Sequence, residues 1–148
     1  MLVSRRIATT RMVLCASPQY LRAHGRPKRP EDLAAHAVVA YSYFSSGDEW
    51  KFQGPDGAAS VKVQPCIHAN NGDTCRAAAL AHQGIILQPT FLVGPDLDAG
   101  TLVELMPRYR AGEIGIYLVY ASRKHVPPKV RRLVDFLAER FREAPWRA

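Results

Sequence analysis

Three sets of residues have types and spacings that could do chemistry: Cys66, His68 and Cys75; Asp135 and Glu139; and the polar groups Tyr41-Ser42, Asn70-Asn71 and Gln88-Pro89-Thr90. The first set could hold zinc or activate a thiol. Cys66 and His68 share one face of a strand pattern while Cys75 sits in the following helical pattern. No fourth ligand stands at a zinc spacing, and structural zinc sites use paired, closely spaced ligands. Buried or half-buried structural thiols and a satisfied surface histidine are the expectation. Nucleophilic catalysis needs a Ser, Cys or Thr held against an oriented base, and no Gly-x-Ser-x-Gly elbow occurs. Gly54-Pro55-Asp56-Gly57 precedes no helix, so it is a hairpin turn rather than a phosphate loop. Asp135 and Glu139 fall on the polar face of the final helix, where solvation accounts for them. His24, His36, His82 and His125 lie near helix ends or turns, a common place for His without function. The expectation is no catalytic residue, no metal and no cofactor.

The third set points to binding. In open α/β sheets small molecules sit beyond the carboxyl ends of the strands. Tyr41-Ser42, Asn70-Asn71 and Gln88-Pro89-Thr90 each follow an apolar strand pattern. The ordinary use of such residues is capping and loop solvation. Their agreement at three strand ends favours a site. Between His68 and Pro89 the pattern is a strand end, a polar helix start, a small-residue helix and a buried strand. Asn70 or Asn71 can cap that helix, and Asp73 places negative charge in its first turn. Ala77, Leu80 and Ala81 form a narrow apolar stripe, and Gly84 is expected as its left-handed cap. Ile85-Ile86-Leu87 is a short run suited to a strand covered on both faces.

The elements that must position these residues can be read along the chain. Val3–Ile7 and Arg11–Ala16 are strand segments, and Ser17-Pro18 opens a short helix closed by Gly25. Pro30-Glu31-Asp32-Leu33 opens a second short helix, and Ala37–Tyr41 is a strand followed by a polar loop. Residues from Trp50 to Val63 form a hairpin, with Trp50, Phe52, Val61 and Val63 facing inward. Cys66–Ala69, Leu102–Leu105 and Gly115–Tyr120 are further strands, and Asp98–Thr101 is a turn between a helix and a strand. Pro127-Pro128 starts the clearest helix, whose stripe is Val130, Leu133, Val134, Leu137 and Phe141. Alternating strands and helices predict an α/β fold with a mixed sheet flanked by helices.

Composition narrows the class. A chain of 148 residues can bury the core of one domain. No apolar run approaches the ~20 residues needed to span a bilayer, and no signal-peptide pattern opens the chain, so a cytoplasmic protein without membrane contact is expected. Three cysteines without metal spacing suit a reducing compartment. Of the net charge of +7, the whole excess lies in residues 1–29, which hold seven bases and no acid. Solvated surface arginines are the ordinary explanation. No nucleic-acid-binding signature accompanies them.

Eight motifs in register carry a resemblance. They are Val13–Leu21, Gly25–His36, Trp50-Lys51-Phe52, Ala69–Asp73, Gly84–Pro89, Gly100–Leu105, Ile116–Tyr120 and Pro128–Leu137. Together these resemble the C-terminal effector-binding region of LysR-type transcriptional regulators, over essentially the whole chain. The resemblance implies a periplasmic-binding-protein type II-like architecture of two α/β subdomains hinged by crossing strands, with an effector in the cleft. It implies a single partial domain over 1–148. Residues 12–114 would be subdomain II, and 1–11 and 115–148 a hinge strand and a returning C-terminal helix. Asn70 and Asn71 fall where that family's second subdomain offers ligand contacts at a helix start. Tyr41 and Ser42 lie on the facing strand end, and Thr90 ends the third. The winged helix-turn-helix, its linker helix and the opening part of subdomain I have no counterpart in this sequence, so DNA contact would come only through such a domain. Arg29 stands where a capping Ser or Thr is expected. The final helix lacks its usual packing partner, which predicts a homodimer, oligomer or swapped arrangement.

Two functions follow. One is a regulatory domain that binds a small anionic or aromatic metabolite and responds by a population shift. The other is an interaction module that has lost sensing and acts through hetero-oligomers. An enzyme ranks third.

Overall fold

The computed structural model describes residues 1–121 and 125–144. It divides into two compact units, residues 11–112 and residues 1–10 with 113–148. The first strand, β1 (Leu2–Ala16), is continuous where two segments were expected. Thr9 and Thr10 bridge the two, and β-branched residues favour extended backbone.

In the unit of residues 11–112, β1 is followed by helix α1 (Pro18–His24) and a 3-10 turn (Pro30–Ala35). Then come β2 (Val38–Tyr41), β3 (Glu49–Gly54), β4 (Gly57–Lys62), β5 (Pro65–Ala69), α2 (Gly72–Leu80), β6 (Ile86–Pro89), α3 (Thr90–Ala99) and β7 (Val103–Glu104). β6 and β7 flank β1 antiparallel, and β2 pairs with β5 in parallel. A parallel bridge from Val38 to Ile85 joins β2 to β6, with Val39 N donating to Ile85 O at 2.9 Å and Ile85 N to Ala37 O at 2.9 Å. The strands therefore run β5-β2-β6-β1-β7, a mixed sheet.

Period-two alternation sorts this sheet into two cores. Leu14, Ala16, Val38, Ala40, Ile85 and Leu87 face α1 and the β3–β4 hairpin, with Tyr20, Leu33 and Trp50. Val13, Cys15, Val39 and Ile86 face α2 and α3, with Cys75, Ala79, Val93 and Leu102. Both faces of the sheet are covered, as the apolar runs predict. The hairpin has the expected inward set, and its turn places Gly54 opposite Gly57.

Helix ends show which expected signals operate. Ser17 Oγ accepts from Tyr20 N at 3.1 Å, and Gly25 ends α1 at a φ of 80°. Arg29 gives no side-chain cap. Instead the Asp32 carboxylate reaches back to accept from Lys28 N at 2.9 Å and Arg29 N at 3.1 Å, and these bonds hold its pKa below the usual range. On α2 the buried face is Cys75 and Ala79, with Ala78 and Leu80 half-buried; Ala77 and Ala81 are exposed. The expected stripe was thus displaced around the helix, because small residues on nearly every face leave the apolar pattern without direction. The left-handed residue after α2 is His82, at a φ of 65°, rather than Gly84. Gly84 is needed for close approach: a Cβ there would lie 2.7 Å from Ala37 O on the neighbouring strand.

In the other unit, β8 (Glu113–Ala121) pairs with β1, and helix α4 (Pro128–Arg140) runs into a short 3-10 turn (Phe141–Glu143). Val134 is the buried residue of α4; Val130, Leu137 and Phe141 are half-buried, while Leu133 is exposed. Leu133 therefore departs from the expected stripe, and Phe136 joins it on an exposed face. Arg5 Nη1 lies 3.3 Å from Asp135 Oδ1. The fold also redistributes charge. Residues 1–10 and 113–148 hold ten bases and four acids, against ten and nine in residues 11–112. The basic run seen in residues 1–29 is split between the units.

Candidate functional site

Because β5, β2 and β6 are mutually parallel, their carboxyl ends fall at one end of the sheet. Tyr41 is opposite Ala69 in register, and Ser42 N donates to Ala69 O at 2.8 Å. That bond sets Ser42 beside Asn70. Asn71 occupies the cap of α2 with extended backbone, its Oδ1 accepting from Thr74 N at 2.8 Å. Asn71 Nδ2 faces Asn70 Oδ1 at 3.5 Å. Ser42, Asn70 and Asn71 are exposed and Tyr41 half-buried. The Tyr41 ring meets Tyr43 and Phe44 edge-on, with centroids 5.7 and 5.3 Å away, so an aromatic cluster adjoins these polar groups.

Thr90 is at the same sheet end, as the first residue of α3, but it is buried. Its Oγ1 accepts from Arg11 N at 3.4 Å, tying the end of β6 to β1. The structure thus brings Tyr41, Ser42, Asn70 and Asn71 together at the surface and sets Thr90 behind them.

The expected bystanders behave as follows. His68 Nε2 lies 3.2 Å from Asp48 Oδ1, a satisfied surface histidine. Cys15 and Cys75 are buried, and burial pushes the Cys15 thiol up to about 12 and raises that of Cys75. Such thiols are protonated and inert. Cys66 is exposed, against expectation, because its strand β5 lies at the edge of the sheet; its Sγ donates to Val38 O at 3.4 Å. Among the described residues no three His, Cys, Asp or Glu side chains converge to hold a metal.

Two features go beyond the sequence reading, which placed Gln88 only within a polar strand end and did not single out Arg76 or Asp96. Gln88 is 4% exposed, and its Oε1 abuts the start of α2: a Cβ on Gly72 would lie 2.6 Å from it. A single Gln inside an apolar strand was the available signal. The second is the ion pair of Arg76 with Asp96, at 2.6 Å from Nε to Oδ2 and 2.8 Å from Nη2 to Oδ1. It clamps α2 to α3, and Thr101 Oγ1 adds a bond to Asp96 O at 3.3 Å. No local pattern announces a pair of residues on separate helices.

A mixed sheet covered on both faces is an α/β architecture compatible with a periplasmic-binding-protein type II-like subdomain. The chain belongs to the LysR family: the LysR substrate binding domain matches residues 1–142. It is 32% identical over 143 residues to the HTH-type transcriptional regulator DmlR of Escherichia coli, covering 96% of this chain and 46% of that protein. An uncharacterized HTH-type transcriptional regulator of Haemophilus influenzae is 34% identical over 129 residues, covering 87% of this chain and 45% of that one. Among solved structures, the regulatory domain of CrgA from Neisseria meningitidis superposes with a TM-score of 0.84 at 30% identity, covering 95% of this chain and 69% of that one. Full-length AphB of Vibrio cholerae, a virulence activator, superposes with a TM-score of 0.85 at 27% identity, covering 95% and 48%. The chain spans about half the length of the curated relatives it matches. These relatives are transcriptional regulators, and the matched portion is a regulatory rather than an enzymatic domain.

Proposed function

We propose that this chain is the sensing part of a LysR-type regulator, in which residues 11–112 form subdomain II and bind a small metabolite at the sheet end marked by Asn70, Asn71, Tyr41 and Ser42. The observation that carries this is the convergence of those four residues beside the start of α2, with polar atoms left available at the surface. Thr90 has a positional role, holding β6 against β1. Binding acts by favouring one conformational population over another, to the extent of its differential affinity. DNA contact belongs to a winged-helix domain outside this sequence, and the site of action is the cytoplasm.

The test is a thermal-shift screen of small carboxylates and aromatic metabolites against the chain and its Asn70→Ala and Ser42→Ala variants. At least one compound stabilises the parent, and both substitutions reduce that stabilisation. A panel without a stabilising compound, or stabilisation indifferent to both variants, overturns the assignment. The isolated chain gives no gel shift with DNA; a salt-sensitive shift would contradict the division of labour.

Association is the second part of the proposal. Leu133 and Phe136 on α4 are 57% and 63% exposed, and Ile114, Tyr117 and Val119 on β8 are also exposed. An apolar surface of this kind favours homo-oligomers. Sedimentation reports a dimer or larger species, and only monomer at high concentration would refute it.

A further inference from the structure

We infer that α1 is an acid-released cover of the sheet, whose two anchoring hydroxyls, Ser17 and Tyr20, are held by His82 and His36 only while those rings are neutral. This goes beyond the sensing site proposed above and uses none of its residues.

A helix of seven residues does not stand alone in water, so α1 depends on its anchors. The same arrangement occurs at both of them. Ser17 Oγ accepts from Tyr20 N at 3.1 Å and lies 2.8 Å from His82 Nδ1. Tyr20 Oη accepts from Ala37 N at 3.1 Å and lies 2.7 Å from His36 Nδ1. Ser17 and Tyr20 are 1% and 2% exposed, so solvent does not serve either hydroxyl. A hydroxyl that already receives an N–H still needs an acceptor for its own hydrogen, and burial without one is costly. The imidazole Nδ1 is the group in place at each. Only a neutral ring with its hydrogen on Nε2 keeps a lone pair on Nδ1. A protonated ring carries hydrogens on both nitrogens, which strips the buried hydroxyl of its acceptor.

The surrounding charges do little to support a proton on either ring. Among the described residues no acid pairs with His82 or His36. Burial first, and then His24, oppose the charge on His36; His24 ends α1 and stacks on the Tyr20 ring with centroids 4.6 Å apart. Arg22 on α1 and Arg26 and Lys28 in the loop after it are exposed cations. On the 3-10 turn Asp32 favours the His36 charge in part, but its carboxylate accepts from the Lys28 and Arg29 amides. Glu31 on that turn lies 3.6 Å from Arg29. β4, packed against the turn, brings Lys62, and β5 brings the Cys66 thiol within electrostatic reach of Tyr20. Acidification therefore loosens α1 at both anchors, while the strands beneath it keep their own ladder.

The experiment is amide hydrogen exchange on the 15N-labelled chain between about pH 7.5 and 5, with protection taken relative to the unfolded rate at each pH. The amides of Tyr20, Leu21, Gly25 and Ala37 bond within this layer and are expected to lose about tenfold protection or more on acidification. Val39 and Ile85, bonded across the sheet, are expected to change less than about threefold. Combining His36→Asn with His82→Asn removes both titrating rings, and asparagine tolerates the left-handed backbone at position 82. Protection at the four amides is then expected to be independent of pH. If the double variant is too unstable to measure, His36→Asn alone must flatten Ala37, and His82→Asn alone must flatten Tyr20 and Leu21. Equal losses at the four amides and at Val39 and Ile85 would show global unfolding and overturn the local release. A parent without the pH dependence, or variants that keep it, overturn the role of the two histidines.

Discussion

Residues 11–112 and the unit of residues 1–10 with 113–144 treat their apolar side chains in opposite ways. In the first, Val13, Leu14, Cys15, Val38, Val39, Ile85 and Ile86 are all buried, and each sheet face has its own cover. In the second, Val134 is buried on α4 while Leu133 and Phe136 remain exposed, and β8 leaves Ile114, Tyr117 and Val119 exposed. The charge differs too, nearly balanced in the first and strongly basic in the second. The proposed sensing and the proposed association have separate physical requirements. A ligand wall needs rigid support, whereas an associating surface needs apolar area that the monomer leaves uncovered.

The largest expected effect tests the packed side of this contrast. Ile86→Ala should lose about 2–5 kcal/mol of unfolding free energy, because a fully buried side chain leaves a cavity. Leu133→Ala should fall within about 0.5 kcal/mol of the parent. Denaturant melts that give the two substitutions similar costs would erase the distinction between the units.

Next is the clamp between α2 and α3. Asp96→Asn should cost about 1–3 kcal/mol, less than for a wholly buried pair because the Arg76 side chain is 37% exposed. A loss below the error of chemical denaturation would mean that the clamp does not support the site.

A pH series gives a smaller effect. Tyr20 Oη accepts from Ala37 N at 3.1 Å and sits 2.7 Å from His36 Nδ1, so the half-buried His36 ring is held against the phenol. Burial, and then His24, lower the His36 pKa, while Asp32 raises it in part. A folded pKa below the ordinary His value of about 6.5 means that stability is fully present above that value and declines as pH falls through the folded pKa. Thermal melts between pH 7.5 and 5 should show this decline, and His36→Asn should flatten it. An unchanged slope in the variant assigns the decline elsewhere.

Asp32→Ala should cost about 0.5–1 kcal/mol at pH 7, the range of a lost helix-start bond. The cost should vanish below the folded Asp32 pKa, which lies under the usual carboxylate value. The smallest stability effect belongs to Phe136→Ser, within about 0.5 kcal/mol, yet sedimentation should show weaker self-association. Unchanged association would move the interface away from α4.

Strand alternation, the Ser17 and Asn71 caps, the hairpin and the exposed polar strand ends at Ser42 and Asn70-Asn71 were legible, since each depends on neighbours within a few residues, whereas the burial of Gln88 and Thr90 was not. The α2 face was misread because Ala77, Ala78, Ala79 and Ala81 give no directional contrast. Gly84 was misread because its constraint is the Ala37 carbonyl, 47 positions away in sequence. Gln88 looked like part of a polar end, and only burial and the approach of Gly72 gave it a distinct place.

By itself the sequence determined the element types, the alternating strand faces and the register of motifs that marks the LysR family, because propensity, period and capping act over short range. Tertiary structure decided which polar ends meet, where the amide of Gln88 points, how Arg76 finds Asp96 and which unit carries the basic excess. Those outcomes depend on strand order and helix orientation, which bring together atoms that chain distance keeps apart.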